Sequence, residues 1–321
     1  MRVRILRRVL LIAGAGALMA AMVAVVPATA SAAPPGQHYR WTTINVPGAQ
    51  YTEPWAINDL GVVVGSYWSD NTNSQGFIEQ NGHFTTIDDP AGVNGTDGTW
   101  DNDLGMIGGY YYDANSVVHG FTDIHGTFTT IDDPNAGTTP NSAEGTYATA
   151  ENQLGVIAGY YVDSNEVIHG FTYQGGHFTT IDAPNAGTTP NEYVGSSIGF
   201  VNDLGELSGT AFANDNASSY SFIDNHGHFT TIFDPASVAN GTYIGSVNDF
   251  GLSVGMYVSN VNNNEVQNGF VESDGTYTTI DDPAAGGLGT GANASNNLGV
   301  IAGYYFTSDG GIDGFVATPS H

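Results

Sequence analysis

Thr127-Phe-Thr-Thr-Ile-Asp-Asp-Pro134, Asn152-Gln-Leu-Gly155, Val156-Ile-Ala-Gly-Tyr-Tyr161 and His169-Gly-Phe171 are four pieces of a phrase that recurs six times along the chain. The turn element Asn-x-Leu/Phe-Gly returns at Asn58, Asn102, Asn202, Asn248 and Asn296. Its glycines (Gly61, Gly105, Gly155, Gly205, Gly251, Gly299) stand 44 to 50 residues apart. That is the period of a four-stranded propeller blade.

Turn lengths decide which strands pair. The run from Tyr147 is reversed at Asn152–Gly155, and Val156–Val162 alternates with β-branched and aromatic residues. Asp163-Ser-Asn-Glu166 turns the chain into Val167–Tyr173, and Gln174-Gly-Gly176 turns it again into His177–Ile181. A long Gly/Asn/Thr/Pro loop follows Asp182-Ala-Pro184. Three tight hairpins and one long passage define four adjacent antiparallel strands and a step to the next blade. The chain opens on a displaced outer-strand copy, Trp41-Thr-Thr-Ile-Asn45, and ends at Gly314-Phe-Val-Ala317 without one. The predicted fold is all-β: a six-bladed β-propeller of four-stranded antiparallel blades, closed by an N-terminal strand completing the last blade. Closure of this kind also removes two sheet edges. An open β-solenoid or two small sandwiches would leave the displaced copy without a role.

Residues 1–32 read as a secretory signal peptide. Arg2, Arg4, Arg7 and Arg8 precede the apolar run Val9–Val26, and Ala28-Thr-Ala-Ser-Ala32 offers a cleavage site. A linker at 33–38, a single propeller at 39–317 and a tail at 318–321 complete the expected layout, with no membrane span after cleavage. The mature chain keeps one base, Arg40, against 32 acids, a net charge of −31. Such a surface repels nucleic acid and anionic membranes. Salt bridges cannot hold the fold, and with no cysteine neither can disulfides, so a sizeable apolar core must.

The His-Gly-Phe, Asn-x-Leu-Gly and Gly-x-Phe-Thr-Thr-Ile-Asp elements resemble the bacterial extracellular repeats of the HAF family over essentially all of the mature chain. Histidine stands before Gly-Phe only at His119 and His169; Gln75, Tyr220, Asn268 and Asp313 take that place elsewhere, and Ser221 replaces glycine in blade four. The resemblance implies secretion and a repeat fold, and it supplies no catalytic residues.

Long inter-blade loops and Asp/Asn-rich second hairpins (Asp70–Asn73, Asp113–Asn115, Asn260–Asn264) fall on one side of the ring, which makes that side the expected functional face. Counted back from the turn asparagine, inner-strand positions two and four are mostly small or apolar and are expected between blades. With a strand period of two, positions one, three and five share the other side. There the acids gather in blades one to three: Glu53, Asp97, Asp101 and Glu151. Neighbouring pairs of these carboxylates have the chemistry of a glycoside hydrolase or polysaccharide lyase, or they line a wet channel. Trp55 stands where other blades carry Thr99, Thr149, Gly199, Gly245 and Asn293, and it suits stacking on a sugar ring. Tyr147, Tyr243, His119 and His169 are further ligand-contact candidates. Metal binding at the histidines would need partners such as Asp113 or Asp163, and Asp-Asp-Pro phrases at Asp88, Asp132 and Asp281 offer oxygens for calcium. No His-Glu-x-x-His or phosphate-loop motif occurs. The expected protein is a secreted monomer that binds an extracellular polymer or small ligand, carbohydrate or cell-envelope polymer first. A glycan-cleaving enzyme and a structural, calcium-bearing surface protein are the alternatives.

Overall fold

The computed structural model describes residues 38–69, 73–214, 219–237, 241–261 and 264–320. The expected signal peptide, most of the linker, residues 70–72 of the first acidic hairpin and 262–263 of the last lie outside them.

All 24 strands among the described residues fall into six antiparallel four-stranded blades. In blade three they are Gly145–Glu151, Ile157–Val162, Ile168–Gln174 and His177–Ile181. Blade six takes its outer strand from the N-terminus: His38–Ile44 pairs antiparallel with Ile312–Ser320, Trp41 opposite Ala317. The pairing runs through Ser320, so residues 318–320 are strand rather than tail.

Two motif residues are explained by direct opposition across a pair of strands. In every blade the second-strand glycine faces the Phe of the Gly-Phe element: Gly65/Phe77, Gly109/Phe121, Gly159/Phe171, Gly209/Phe222, Gly255/Phe270 and Gly303/Phe315. All six rings are at most 1% exposed. A Cβ on any of these glycines would come within 1.9–2.2 Å of an inner-strand carbonyl oxygen, so no other residue fits. Ser221, the departure in blade four, accepts from Ile244 N and donates to Thr242 O, tying blade four to blade five.

That close approach arises from a bulge. In every blade the inner strand carries one residue with no opposite number, lying between Pro54 and Ala56, Gly98 and Trp100, Ala148 and Ala150, Ile198 and Phe200, Ile244 and Ser246, and Ala292 and Ala294. The bulged residue is position three each time. An extra residue resets the alternation: position five now shares a side with position two, and position one with position four. The expected common side for positions one, three and five is therefore corrected. Position three alone stands outside both sets.

The Asn turns join the blades. Each asparagine Oδ1 accepts the amides two and four residues on at 2.9–3.1 Å, closing its own turn. The side-chain amide then donates to the next blade's turn asparagine carbonyl: Asn58 to Asn102, Asn152 to Asn202, Asn202 to Asn248, Asn248 to Asn296, and Asn296 back to Asn58. At the remaining junction Asn102 donates to Glu151 Oε2 at 2.8 Å. The following residue makes a second circle: the amides of Asp59, Asp103, Gln153, Asp203, Asp249 and Asn297 each donate to the side chain of the next member at 2.7–3.2 Å.

Replacing Asn248 with alanine removes two turn bonds and one inter-blade bond at a buried site. At about 1 kcal/mol per bond, with stranded polar partners added, the expected loss is roughly 2–4 kcal/mol in denaturant unfolding. A loss below about 0.5 kcal/mol would show that the circle contributes no more than one exposed bond.

Candidate functional site

A cavity of about 190 Å³ lies on the ring axis. All six bulged residues line it: Trp55, Thr99, Thr149, Gly199, Gly245 and Asn293. Its walls tie neighbouring blades together, because Thr99, Thr149 and Asn293 donate to Ala148 O, Ile198 O and Pro54 O at 2.7–2.8 Å. The mouth is formed by turn residues including Asp59, Gln153, Asp203, Asp249 and Asn297, and the inner end by Tyr110, Tyr160, Tyr243 and Met256. Beyond that end Tyr147 stacks on Tyr160 with ring centroids 4.4 Å apart and meets Tyr110 edge-on at 5.0 Å. The cavity therefore opens on the tight-turn side. It lies opposite the loop-rich side that the sequence marks as the expected functional face, and the aromatic layer stands at its inner end.

The four candidate carboxylates separate into two places. Glu53 and Asp97 are 1% and 5% exposed, and neither lines the cavity. They share the boundary of blades one and two, where Ser74 donates to Asp97 Oδ2 at 3.0 Å and Glu53 Oε2 has no partner. Burial, then the neighbouring Asp97 charge, pushes Glu53 up to about 8. Burial lifts Asp97 to about 6, opposed by the hydrogen bond from Ser74. Asp101 and Glu151 do line the cavity, from adjacent inner strands. Both Asp101 oxygens are sealed and unpartnered, and burial followed by the Asp103 charge holds its carboxyl well above the usual range. Glu151 is raised to about 7 by burial, opposed by the Asn102 amide.

Trp55 is partly exposed on the wall and shares the cavity lining with Asp101 and Glu151, whereas Glu53 and Asp97 are not part of it. Tyr243 lines the inner end, whereas Tyr147 is fully buried and donates to Ala143 O at 3.0 Å. The sequence reading missed Tyr110, Tyr160 and Met256. Their trace was the place after the second-strand glycine, which pairs with position five.

His119 and His169 are not part of this cavity's lining, and they repeat one arrangement. Nδ1 sits 3.0–3.1 Å from Asp132 or Asp182, Nε2 lies 3.9–4.0 Å from Asp113 or Asp163, and each ring stacks on Tyr111 or Tyr161. The Asp132 and Asp182 hydrogen bonds raise both imidazoles against the effect of burial. The second Asp of the Asp-Asp-Pro phrase caps a turn, as where Asp89 accepts from Ala91 and Asp282 from Ala284. Among the described residues no group of three or more His, Asp or Glu converges to hold a metal.

The sequence matches no protein-family model and no curated protein. Solved structures with a similar backbone include the Aleuria aurantia lectin in complex with α-methyl-L-fucoside (TM-score 0.47, 15% identity, covering 87% of this chain and 96% of that one). A structure described as a fungal lectin with a six-bladed β-propeller fold and a novel fucose recognition mode matches at 0.44 and 13%, covering 90% and 96%. The propeller domain of the Trilobed protease from Pyrococcus furiosus matches at 0.43 and 9%, covering 85% and 96%. The chain is a six-bladed β-propeller. At these identities the likeness is one of fold.

Stability should fall as pH rises from about 5 to 8. Glu53 keeps its proton in the folded chain up to about 8, while an unfolded glutamate loses it near 4.3, so the folded state binds the extra proton across that window. The raised histidines act in the same direction: their contribution is complete below about 6.5 and is lost as pH climbs through the folded-state value. Melting temperatures across this range test both. Glu53→Gln should flatten the slope, and His119→Gln with His169→Gln should lower stability at pH 5 but not at pH 9; unchanged profiles would refute the assignment.

Proposed function

We propose that this protein is a secreted β-propeller that binds carbohydrate or a cell-envelope polymer in its axial cavity. One observation carries the reading: a single tryptophan, Trp55, occupies the bulged, axis-facing position that holds Thr, Gly or Asn in the other five blades. A flat aromatic wall facing hydroxyl and amide groups (Thr99, Thr149, Asn293) is what a sugar ring needs, with its apolar face stacked and its rim hydrogen-bonded. The pocket is smaller than the roughly 300–1,000 Å³ of common small-molecule sites. One ring or a chain end fits it better than a long segment. Secretion is supported by the basic-then-apolar N-terminus and by the HAF-like repeats. A glycan array followed by calorimetry tests the reading. Binding that Trp55→Ala weakens by about tenfold or more, roughly the value of an aromatic contact, is expected; no retention on any glycan, or an indifferent variant, would refute it.

Glycan cleavage is a second reading, and it now rests on Asp101 and Glu151, the two raised carboxylates on the cavity wall. A polysaccharide panel decides it. Turnover lost by about a hundredfold in Asp101→Asn and Glu151→Gln would establish the pair, at the scale of one acid or base group; absence of turnover in the parent chain ends this reading.

A further inference from the structure

The third residue of the Asn-x-Leu/Phe-Gly turn is the one constant of the repeat that the fold leaves unused. Leu60, Leu104, Leu154, Leu204, Phe250 and Leu298 are 58–79% exposed, six large apolar side chains in six blades. The turn needs only their backbone amides, which donate to the asparagine Oδ1 two residues earlier. Any residue with an N–H would serve there, so burial or turn geometry does not select leucine. They stand on the turns that ring the mouth of the axial cavity, each next in the chain to a turn residue such as Asp59, Gln153, Asp203, Asp249 or Asn297 that lines the entrance, and none of the six enters the lining itself. Six exposed apolar side chains repeated around one opening are more than the singly scattered residues of an ordinary surface and mark a binding face.

Charge narrows the occupant. Asp59, Asp103, Asp203 and Asp249 alternate with the apolar residues, Asp101 and Glu151 stand inside, and no lysine, arginine or histidine lines the cavity. A second copy would set carboxylates against carboxylates with only Arg40 beyond residue 32 to offset them. Phosphate, sulfate and carboxylate heads are repelled for the same reason. The geometry points to a neutral glycolipid: an uncharged sugar head in the cavity against Trp55, with its alkyl chain laid across the leucine crown. This rests on the carbohydrate reading of the cavity and adds the tail to it.

Octyl glycosides of glucose, galactose, mannose, fucose and N-acetylglucosamine, each below its micelle concentration, are to be compared by calorimetry with the matching methyl glycosides. At least one octyl glycoside should bind about tenfold or more tightly than its methyl counterpart, as burial of several methylenes requires. The Leu104→Ser/Leu154→Ser/Leu204→Ser variant should lose that ratio and keep the methyl glycoside affinity, with an unchanged melting temperature. Should the triple variant fold poorly, Phe250→Ser makes the same comparison singly. Equal octyl and methyl affinities, or no octyl binding, overturn the crown; in the first case the carbohydrate reading stands. Octyl binding that ignores the sugar and survives Trp55→Ala overturns the glycolipid assignment together with the carbohydrate reading.

Discussion

Six blades become one body through the circle of turn hydrogen bonds on one face of the ring. Each asparagine closes its own turn with Oδ1 and reaches the next blade with its side-chain amide, and each following residue repeats the connection one layer over. Such a circle completes only when the last blade is adjacent to the first. The bonds from Asn296 to Asn58 and from Asn297 to Asp59 are that completion. They stand in for the Lys and Arg salt bridges that a chain with no lysine and one arginine beyond residue 8 can scarcely make, and for the disulfides it lacks.

The seam also fixes where chemistry can occur. Holding the inner strands close around the axis, with a bulge in each, turns the unpaired residue of every blade toward the centre. Position five packs at the blade boundary, which is why Glu53 and Asp97 are buried, Asp97 held by Ser74 and Glu53 Oε2 left without a partner. Protonation is how that boundary tolerates two acids, and it gives the fold a preference for mildly acidic surroundings. The aromatic layer of Tyr110, Tyr147 and Tyr160 closes the channel at one end and leaves the other to the turns.

Much of this was legible in the sequence. The repeat period and the displaced Trp41–Asn45 copy specified six blades and N-terminal closure, and turn lengths located strands such as His177–Ile181 to the residue. The bulge was not legible. It adds one residue to one strand, and because that residue faces a cavity instead of a packing partner, its identity drifts through Trp, Thr, Thr, Gly, Gly and Asn. Its shadow was the constant glycine opposite, read as part of a strand when it marks a backbone approach that excludes a side chain. Missing the bulge placed Glu53 and Asp97 on the side of Trp55; counting it moves both to the blade boundary, while Asp101 and Glu151 stay in the cavity lining. Which end of the channel opens depends on ring packing contributed by two blades, and no single repeat encodes that.

The account turns on Trp55 being the ligand-contacting indole of this ring. The chain has four tryptophans, and their indole N–H resonances supply internal controls: Trp41 on the outer strand of blade six, Trp100 buried between blades, and Trp68 partly exposed at the loop-rich end of blade one. Titrating the glycan found on an array into ¹⁵N-labelled protein should shift the Trp55 signal and leave Trp41 and Trp68 in place. A shift confined to Trp68, or none at Trp55 under saturating glycan, would contradict an axial site.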